Sequence, residues 1–70
     1  MIDILKWNKL IKEHYLSACK RNKNYSKKYS EIKMRNWWFS LLKKRPEKDV
    51  EEFILGNIYA NNNNIKYHPV

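Results

Sequence analysis

Apolar residues recur along this chain at the three- and four-residue spacing of an amphipathic helix, and no stretch alternates apolar and polar positions as a strand would. The first third of the chain gives one apolar stripe, formed by Ile4, Trp7, Ile11, His14 or Tyr15, and Ala18. Leu5 and Leu16 fall on the opposite, lysine-rich side. Asp3 can act as N-cap by accepting a free amide hydrogen of the first turn. The pattern predicts a first helix over residues 3–21.

A second helical pattern follows the polar segment RNKN and extends over residues 26–44. Ser26 and Ser30 each qualify as its N-cap, since a serine hydroxyl can accept an amide hydrogen of the first turn. A residue that precedes a proline avoids helical geometry, so Arg45, directly before Pro46, is the expected break. The pattern leaves the start of this helix open and defines its end more closely.

A third helix is predicted over residues 46–60. Proline is a favoured first helical residue, because its missing amide hydrogen has no helical partner at that position. Four acidic residues suit the positive end of the helix dipole: Glu47, Asp49, Glu51 and Glu52. The apolar stripe consists of Val50, Phe53, Ile54, Asn57 and Ile58. Gly56 lies inside this stripe and offers a place at which the helix can end early.

Length and helical patterning predict one small all-α domain, a bundle of about three helices formed by residues 1–60. Residues 61–70 are expected to form an Asn-rich turn and a C-terminal tail, in which Ile65 and Tyr67 can pack against the bundle. A chain of 70 residues buries only about 60% of its unfolded surface, so its core is expected to be marginal.

The stretch MRNWWFSLLKKRP places three aromatic residues side by side on the second predicted helix. One apolar face of that helix contains Tyr25, Tyr29, Ile32 and Phe39, and a nearly opposite face contains Met34, Trp37, Trp38 and Leu41. Both tryptophans can pack between the first and third helices, or part of their face can remain exposed as a protein interface, since Trp is enriched at interaction hot spots. Trp37 and Trp38 lie about 100° apart, so we predict that one is core and the other at least partly exposed.

Positive charge is concentrated in the first two thirds of the chain. Residues 1–45 hold thirteen Lys/Arg against three Asp/Glu, and residues 46–70 hold two against four, which gives +10 and −2 within the total of +8. Two groups of bases flank the predicted loops. The first basic group consists of Lys20, Arg21, Lys23, Lys27 and Lys28, and the second basic group consists of Lys43, Lys44 and Arg45. Such a field attracts polyanions or acidic protein surfaces.

Composition offers a competing explanation for the charge. Residues written with AT-rich codons (Lys, Asn, Ile, Tyr and Phe) make up half of the chain, and Lys outnumbers Arg by 12 to 3. This composition indicates an AT-rich genome, such as that of a phage, a mobile element or a low-GC bacterium, in which lysine accumulates through mutational bias. Arginine is the usual residue for bidentate recognition of phosphate and bases. Its scarcity here makes the positive charge weaker evidence for a polyanionic partner.

The sequence contains no pattern typical of catalysis, metal binding or cofactor binding. It lacks a Cys/His cluster with metal spacing and a Gly-rich phosphate loop. Cys19 and His14 lie about 140° apart on one helix, so they do not face each other as nucleophile and base. We expect Cys19 to be a small buried residue and His14 to lie on the helix flank. The stretch MRNWWFSLLKKRP is loosely similar to a homeodomain recognition helix, in which Trp-Phe is followed by an Asn-Arg pair that reads bases. Here Ser40 and two leucines follow Trp-Phe, so the base-reading pair is absent and this kind of DNA-binding helix is not indicated.

The single cysteine, Cys19, leaves no intramolecular disulfide to form and favours a reduced, cytoplasmic setting. The segment MIDILKWNKL lacks the basic region and unbroken apolar run of a secretory signal. No stretch approaches the roughly 18 apolar residues that a membrane span needs. We therefore expect an intracellular protein without a membrane partner.

These features predict a non-enzymatic binding protein without a cofactor or a metal. The favoured partner is nucleic acid or a nucleoprotein complex, contacted by the two basic groups with little sequence preference, since lysines bind phosphates. One alternative is an adaptor or inhibitor that docks on a protein, including an acidic one, through the face that carries Trp37 and Trp38. Another is a subunit of a larger assembly, or a homodimer, that covers the surplus apolar face.

Overall fold

The structure is a computed structural model that describes residues 3–65. Within that range the chain forms four helices and no strand. The helices are α1 (Ile4–Arg21), α2 (Tyr25–Lys28), α3 (Glu31–Leu42) and α4 (Glu47–Asn62). The prediction of a small all-α bundle is confirmed, whereas the bounds of the second and third predicted helices need correction.

Helix α1 begins and ends where the sequence pattern places it. Asp3 is the N-cap, with an extended backbone, and its carboxylate accepts a hydrogen bond from the Lys6 amide at 3.2 Å. This bond satisfies one of the amide groups that a helix start leaves without a partner. Lys20 and Arg21 occupy the last turn, where positive charge interacts favourably with the helix dipole.

The second predicted helix is in fact two helices, because the backbone is extended at Tyr29 and Ser30. Of the two possible caps, Ser30 is the one used: its hydroxyl oxygen accepts a hydrogen bond from the Lys33 amide at 3.2 Å. The Tyr29 carbonyl accepts instead from the Tyr15 hydroxyl, at 3.4 Å. Helix α3 ends at Leu42, two residues earlier than predicted.

Helix α4 starts later and extends further than predicted. Pro46 serves as the N-cap and not as the first helical residue, and the helix continues through Gly56 to Asn62. The glycine does not end the helix, and the last turn of α4 is held against α1 by a hydrogen bond. The Asn61 side-chain amide donates a hydrogen bond to the Ser17 hydroxyl at 3.1 Å.

The tail also starts later than the expected boundary at residue 60, since the first two residues of the Asn run are helical. Ile65, expected to pack on the bundle, remains about half exposed. Its carbonyl nevertheless accepts a hydrogen bond from Arg21 Nη1 at 2.9 Å, so the backbone there is tied to α1. Tyr67, the other residue of that prediction, lies outside the described residues.

Helices α1 and α4 lie side by side and run in the same direction. Near their N-terminal ends the Trp7 indole donates from Nε1 to Glu47 Oε1 at 3.0 Å. Near their C-terminal ends Arg21 donates from Nη1 to the Asn61 side-chain oxygen at 3.4 Å. A parallel pair of helices needs a connection that crosses back from one end of the bundle to the other, and α2 and α3 supply it.

The core draws on all three long helices. It consists of Trp7 and Ile11 from α1, Met34 and Trp38 from α3, and Val50 and Ile54 from α4. Trp38 is fully enclosed, and its ring lies 5.1 Å from the rings of both His14 on α1 and Phe53 on α4. Trp37 is 50% exposed. The prediction that one tryptophan is core and the other partly exposed is therefore confirmed.

His14 belongs to the core and not to the helix flank, which corrects the prediction made from its position. Its side chain is 6% exposed and lies against Trp38. Burial lowers the pKa of His14 from the usual 6.5 to about 4, because an imidazolium ion loses its hydration in that environment. Cys19, which was expected to be buried, is only partly so.

Replacing Trp38 by alanine should reduce the free energy of unfolding by roughly 3–5 kcal/mol, because it leaves a cavity between α1 and α4. Urea denaturation followed by circular dichroism measures this loss. Trp37→Ala is the matched control and should cost about 1 kcal/mol or less, since that ring is half exposed. Equal losses for the two variants would contradict the placement of Trp38 at the centre of the core.

His14 should make the protein less stable in mild acid. Its pKa is about 4 in the folded protein and near 6.5 in the unfolded chain, so the unfolded state binds more protons between these pH values. Above pH 6.5 His14 is neutral in both states and does not reduce the free energy of unfolding. That free energy falls by up to about 3 kcal/mol as the pH drops towards 4. Urea midpoints across this range test the effect. His14→Leu should remove the slope, and an unchanged slope would assign the acid sensitivity to other groups.

Candidate nucleic-acid interface

The first basic group surrounds the turn that joins α1 to α2. Its five members lie in the last turn of α1, in the turn itself and on α2. The Asn22 side-chain oxygen accepts a hydrogen bond from the Asn24 amide at 3.0 Å, which is a common way for asparagine to close a turn. Only residues 22–24 separate the two helices, and this short connection keeps the five bases close together.

All eight bases of the two groups are exposed, and none of them forms an ion pair within residues 3–65. The ion pairs in that range join Lys6 to Glu51 and Arg35 to Glu31. Glu31 is the only acidic residue in the segment 14–46, and it already lies 3.6 Å from an arginine of its own helix. The described part of the chain therefore leaves the charge of the first basic group without a neutralising partner.

Arg21 has a structural role in addition to its charge. Its Nη1 atom donates both to the Ile65 carbonyl and to the Asn61 side chain, which ties the end of α4 to the end of α1. A guanidinium group retains further donors with which it can contact an anion. Substitution of Arg21 would nevertheless affect α4 as well as the charge, so a clean test of the first basic group leaves this residue in place.

The second basic group lies at the other end of the bundle. It occupies the connection between α3 and α4 and directly precedes α4, whose first residue, Glu47, contacts Trp7 near the start of α1. The first basic group lies instead at the end of α1. A helix rises about 1.5 Å per residue, so Trp7 and Lys20 are about 20 Å apart along α1. The two groups thus form two separate positive regions and not one site.

Three tyrosines with contacting rings lie beside the first basic group. We call Tyr15, Tyr25 and Tyr29 the tyrosine cluster. The ring centroid of Tyr25 is 5.9 Å from that of Tyr15 and 4.8 Å from that of Tyr29. Partial burial raises the pKa of Tyr25 above its usual 10.0, with neighbouring Tyr29 adding to the shift, so the ring is uncharged near neutral pH. Tyr29 is the most exposed of the three, and Lys28 Nζ lies 5.5 Å from the centre of its ring.

The sequence pattern does not predict the tyrosine cluster. Helical spacing places Tyr25 and Tyr29 on one face, but within a continuous helix that also carries Ile32 and Phe39. Because the chain is extended at Tyr29, that shared face does not exist: Ile32 is 67% exposed, whereas Phe39 packs against the core. The sequence does contain one signal for the cluster, the presence of tyrosines on both sides of the RNKN segment. The turn formed by this segment brings Tyr15 next to Tyr25.

Two of the four residues predicted as a protein interface are core residues, which corrects that prediction. Met34 is 4% exposed and Trp38 is fully buried, and Leu41 is partly buried. Of the four, Trp37 alone is exposed, and its ring contacts Trp38 at 4.9 Å and Phe53 at 6.2 Å. A helix of twelve residues uses most of such an apolar face to build the core.

The described residues contain no group of three or more His, Cys, Asp or Glu side chains arranged to hold a metal ion. None of the helices between residues 3 and 65 has both the length and the apolar character needed to cross a lipid bilayer. No protein-family model matches the chain, and neither a curated protein nor a solved structure matches it.

Proposed function

We propose that the protein is a non-enzymatic nucleic-acid-binding protein, or a component of a nucleoprotein complex, with the first basic group as its main contact. One observation carries the proposal: five bases surround a three-residue turn, without an ion-pair partner in residues 3–65 and without an acidic residue in the segment 14–30. Lysine ammonium groups attract phosphates as point charges and add affinity with little sequence preference.

The second basic group supports the proposal as an auxiliary contact. Its distance of about 20 Å from the first group corresponds to roughly six nucleotides of one strand at about 3.4 Å each. A strand that follows α1 can therefore reach both groups.

Mutational bias towards lysine is the competing explanation. It accounts for the number of lysines, but less well for the scarcity of acidic residues near them. Bias alone gives no reason for acids to be missing beside them. Two of the acids of α4 have internal partners instead: Glu47 accepts a hydrogen bond from the Trp7 indole, and Glu51 pairs with Lys6 at 2.7 Å. The segment 14–46 has ten bases and one acid, and this imbalance is what favours a polyanion as partner.

Changing the four lysines of the first basic group to glutamine should weaken binding to nucleic acid and reduce its salt dependence. Each lost phosphate contact removes about 0.9 from the slope of log K against log salt for a duplex, or about 0.7 for a single strand. For four lysines the slope should therefore fall by up to about 3.6 units for a duplex and about 2.8 units for a single strand. Fluorescence anisotropy with labelled duplex and single-stranded oligonucleotides over a salt series measures both quantities. The four substituted residues are Lys20, Lys23, Lys27 and Lys28.

The matched control makes the same change of charge elsewhere on the surface. It replaces four exposed lysines outside both basic groups, Lys9, Lys12, Lys33 and Lys48, by glutamine. This control should lose less affinity than the first variant. If the two variants lose equally, net charge and not the turn is responsible. Failure of the wild-type protein to bind duplex or single strands even at low salt would refute the proposed function.

One observation favours a second candidate function, docking on another protein as an adaptor or inhibitor. Trp37 is half exposed beside the ring of Phe53, and it is the largest of the apolar side chains that the described residues leave exposed. Exposed tryptophans are frequent anchors in protein interfaces. A second copy of this chain is one form that such a partner can take.

For this second candidate, Trp37→Ala should abolish capture of a protein partner from nuclease-treated extract of the native host, while the urea midpoint stays close to that of the wild type. Tyr59→Ala is the control, because Tyr59 is 65% exposed on α4 and should be neutral in both measurements. Capture that survives Trp37→Ala, or that disappears on nuclease treatment of the wild type, would rule out docking through this residue.

A further inference from the structure

We infer, on the basis of the proposed function, that the first basic group binds single-stranded nucleic acid with a base stacked on the exposed ring of Tyr29. Single strands present base faces that a duplex hides within its own stack, and aromatic side chains bind those faces with little regard to sequence. An exposed aromatic ring beside a lysine-rich turn combines the two contacts that such a site needs, one for the base and one for the phosphates.

Tyr29 is held in position by residues on either side of it in the fold. Its ring packs on Tyr25 at 4.8 Å, and its carbonyl accepts the hydrogen bond from the Tyr15 hydroxyl. Ser30, the next residue, caps α3 and fixes the direction of the chain. A ring that is already ordered loses little conformational freedom when a base stacks on it, which favours binding.

The charges around Tyr29 are complementary to a phosphate backbone. Lys27 and Lys28 form the end of α2 and directly precede the ring in the chain. Glu31 is the nearest acid along the chain, and Arg35 pairs with it. A strand whose base stacks on Tyr29 therefore meets positive charge from α2, and the carboxylate nearest to it along the chain is already partnered.

The contact between Lys28 and the Tyr29 ring does not block such a site. Contact with an exposed ring favours the bound position of an ammonium group by only about two- to fivefold. Stacking of a base on such a ring raises the affinity for a single strand by roughly five- to a hundredfold. A base can therefore displace the ammonium, which remains next to the strand and can contact a phosphate. Lys28 then exchanges one favourable contact for another.

Tyr59 lacks this setting although it is more exposed than Tyr29. Its neighbours one turn away along the chain are the uncharged Leu55 on α4 and Asn63, which caps that helix. No ring contact to another aromatic residue supports Tyr59 within the described residues. Tyr59 is therefore the matched control for Tyr29: the same residue type, exposed, without lysines directly before it in the chain.

The test uses fluorescence anisotropy with labelled oligothymidylate, oligouridylate and a mixed-sequence duplex, each of about 12 nucleotides per strand, a length within the usual site sizes. Wild-type protein should bind the single strands more tightly than the duplex. Tyr29→Leu should weaken single-strand binding by roughly five- to a hundredfold and leave duplex binding unchanged. Tyr29→Phe keeps the flat ring and should retain affinity, and Tyr59→Leu should have no effect. The two single strands show whether DNA or RNA is preferred.

The outcomes separate this inference from the proposed function. Equal affinity for duplex and single strands, or a Tyr29→Leu variant with unchanged single-strand affinity, overturns the inference and leaves nucleic-acid binding intact. Absence of binding to all three probes at low salt overturns both.

Photo-crosslinking of the wild-type protein gives a readout that does not depend on the folding of a variant. Single strands that contain iodouracil should attach to the tryptic peptide of residues 29–33, which separates Tyr29 from Tyr25. Attachment confined to other peptides would overturn the inference.

Discussion

The enclosure of Trp38 between the rings of His14 and Phe53 is the interaction on which the rest of the structure depends. The described part of this small chain has three long helices with which to surround an indole, and each of them contributes one face. Helices α1 and α4 do so side by side and in parallel, with α3 as the third wall. His14 is drawn into the core as part of this enclosure, and its lowered pKa is the electrostatic consequence of that burial.

The surface follows from this core. Because α1 and α4 run in parallel, the connection between them has to return from one end of the bundle to the other, so the two basic groups lie at opposite ends. Because α3 begins only at Glu31, residues 22–30 are left to form the basic turn, the short α2 and the extended segment that presents Tyr29. The proposed binding surface is thus the end of α1 together with the exposed residues of the crossover connection that follows it.

Local sequence signals were sufficient for the all-α class and for α1, where the Asp3 cap and a regular apolar stripe define the helix. They were insufficient wherever contacts between distant residues decide the outcome. The break at Tyr29 and Ser30 is accompanied by a hydrogen bond from Tyr15, which a helical wheel cannot include. Trp38 is distinguished from Trp37 by its enclosure between α1 and α4. The separation of the two basic groups follows from the pairing of α1 with α4, whose contacting residues lie about forty positions apart in the chain.

A ¹⁵N NMR titration of the wild-type protein with a single-stranded oligonucleotide can show whether the turn between α1 and α2 is the nucleic-acid surface of this bundle. The largest amide shift changes should occur in residues 20–30, with smaller changes in residues 43–45 and none in residues 51–55. Changes centred on Trp37 and Phe53, or no changes at low salt, would contradict this placement of the surface.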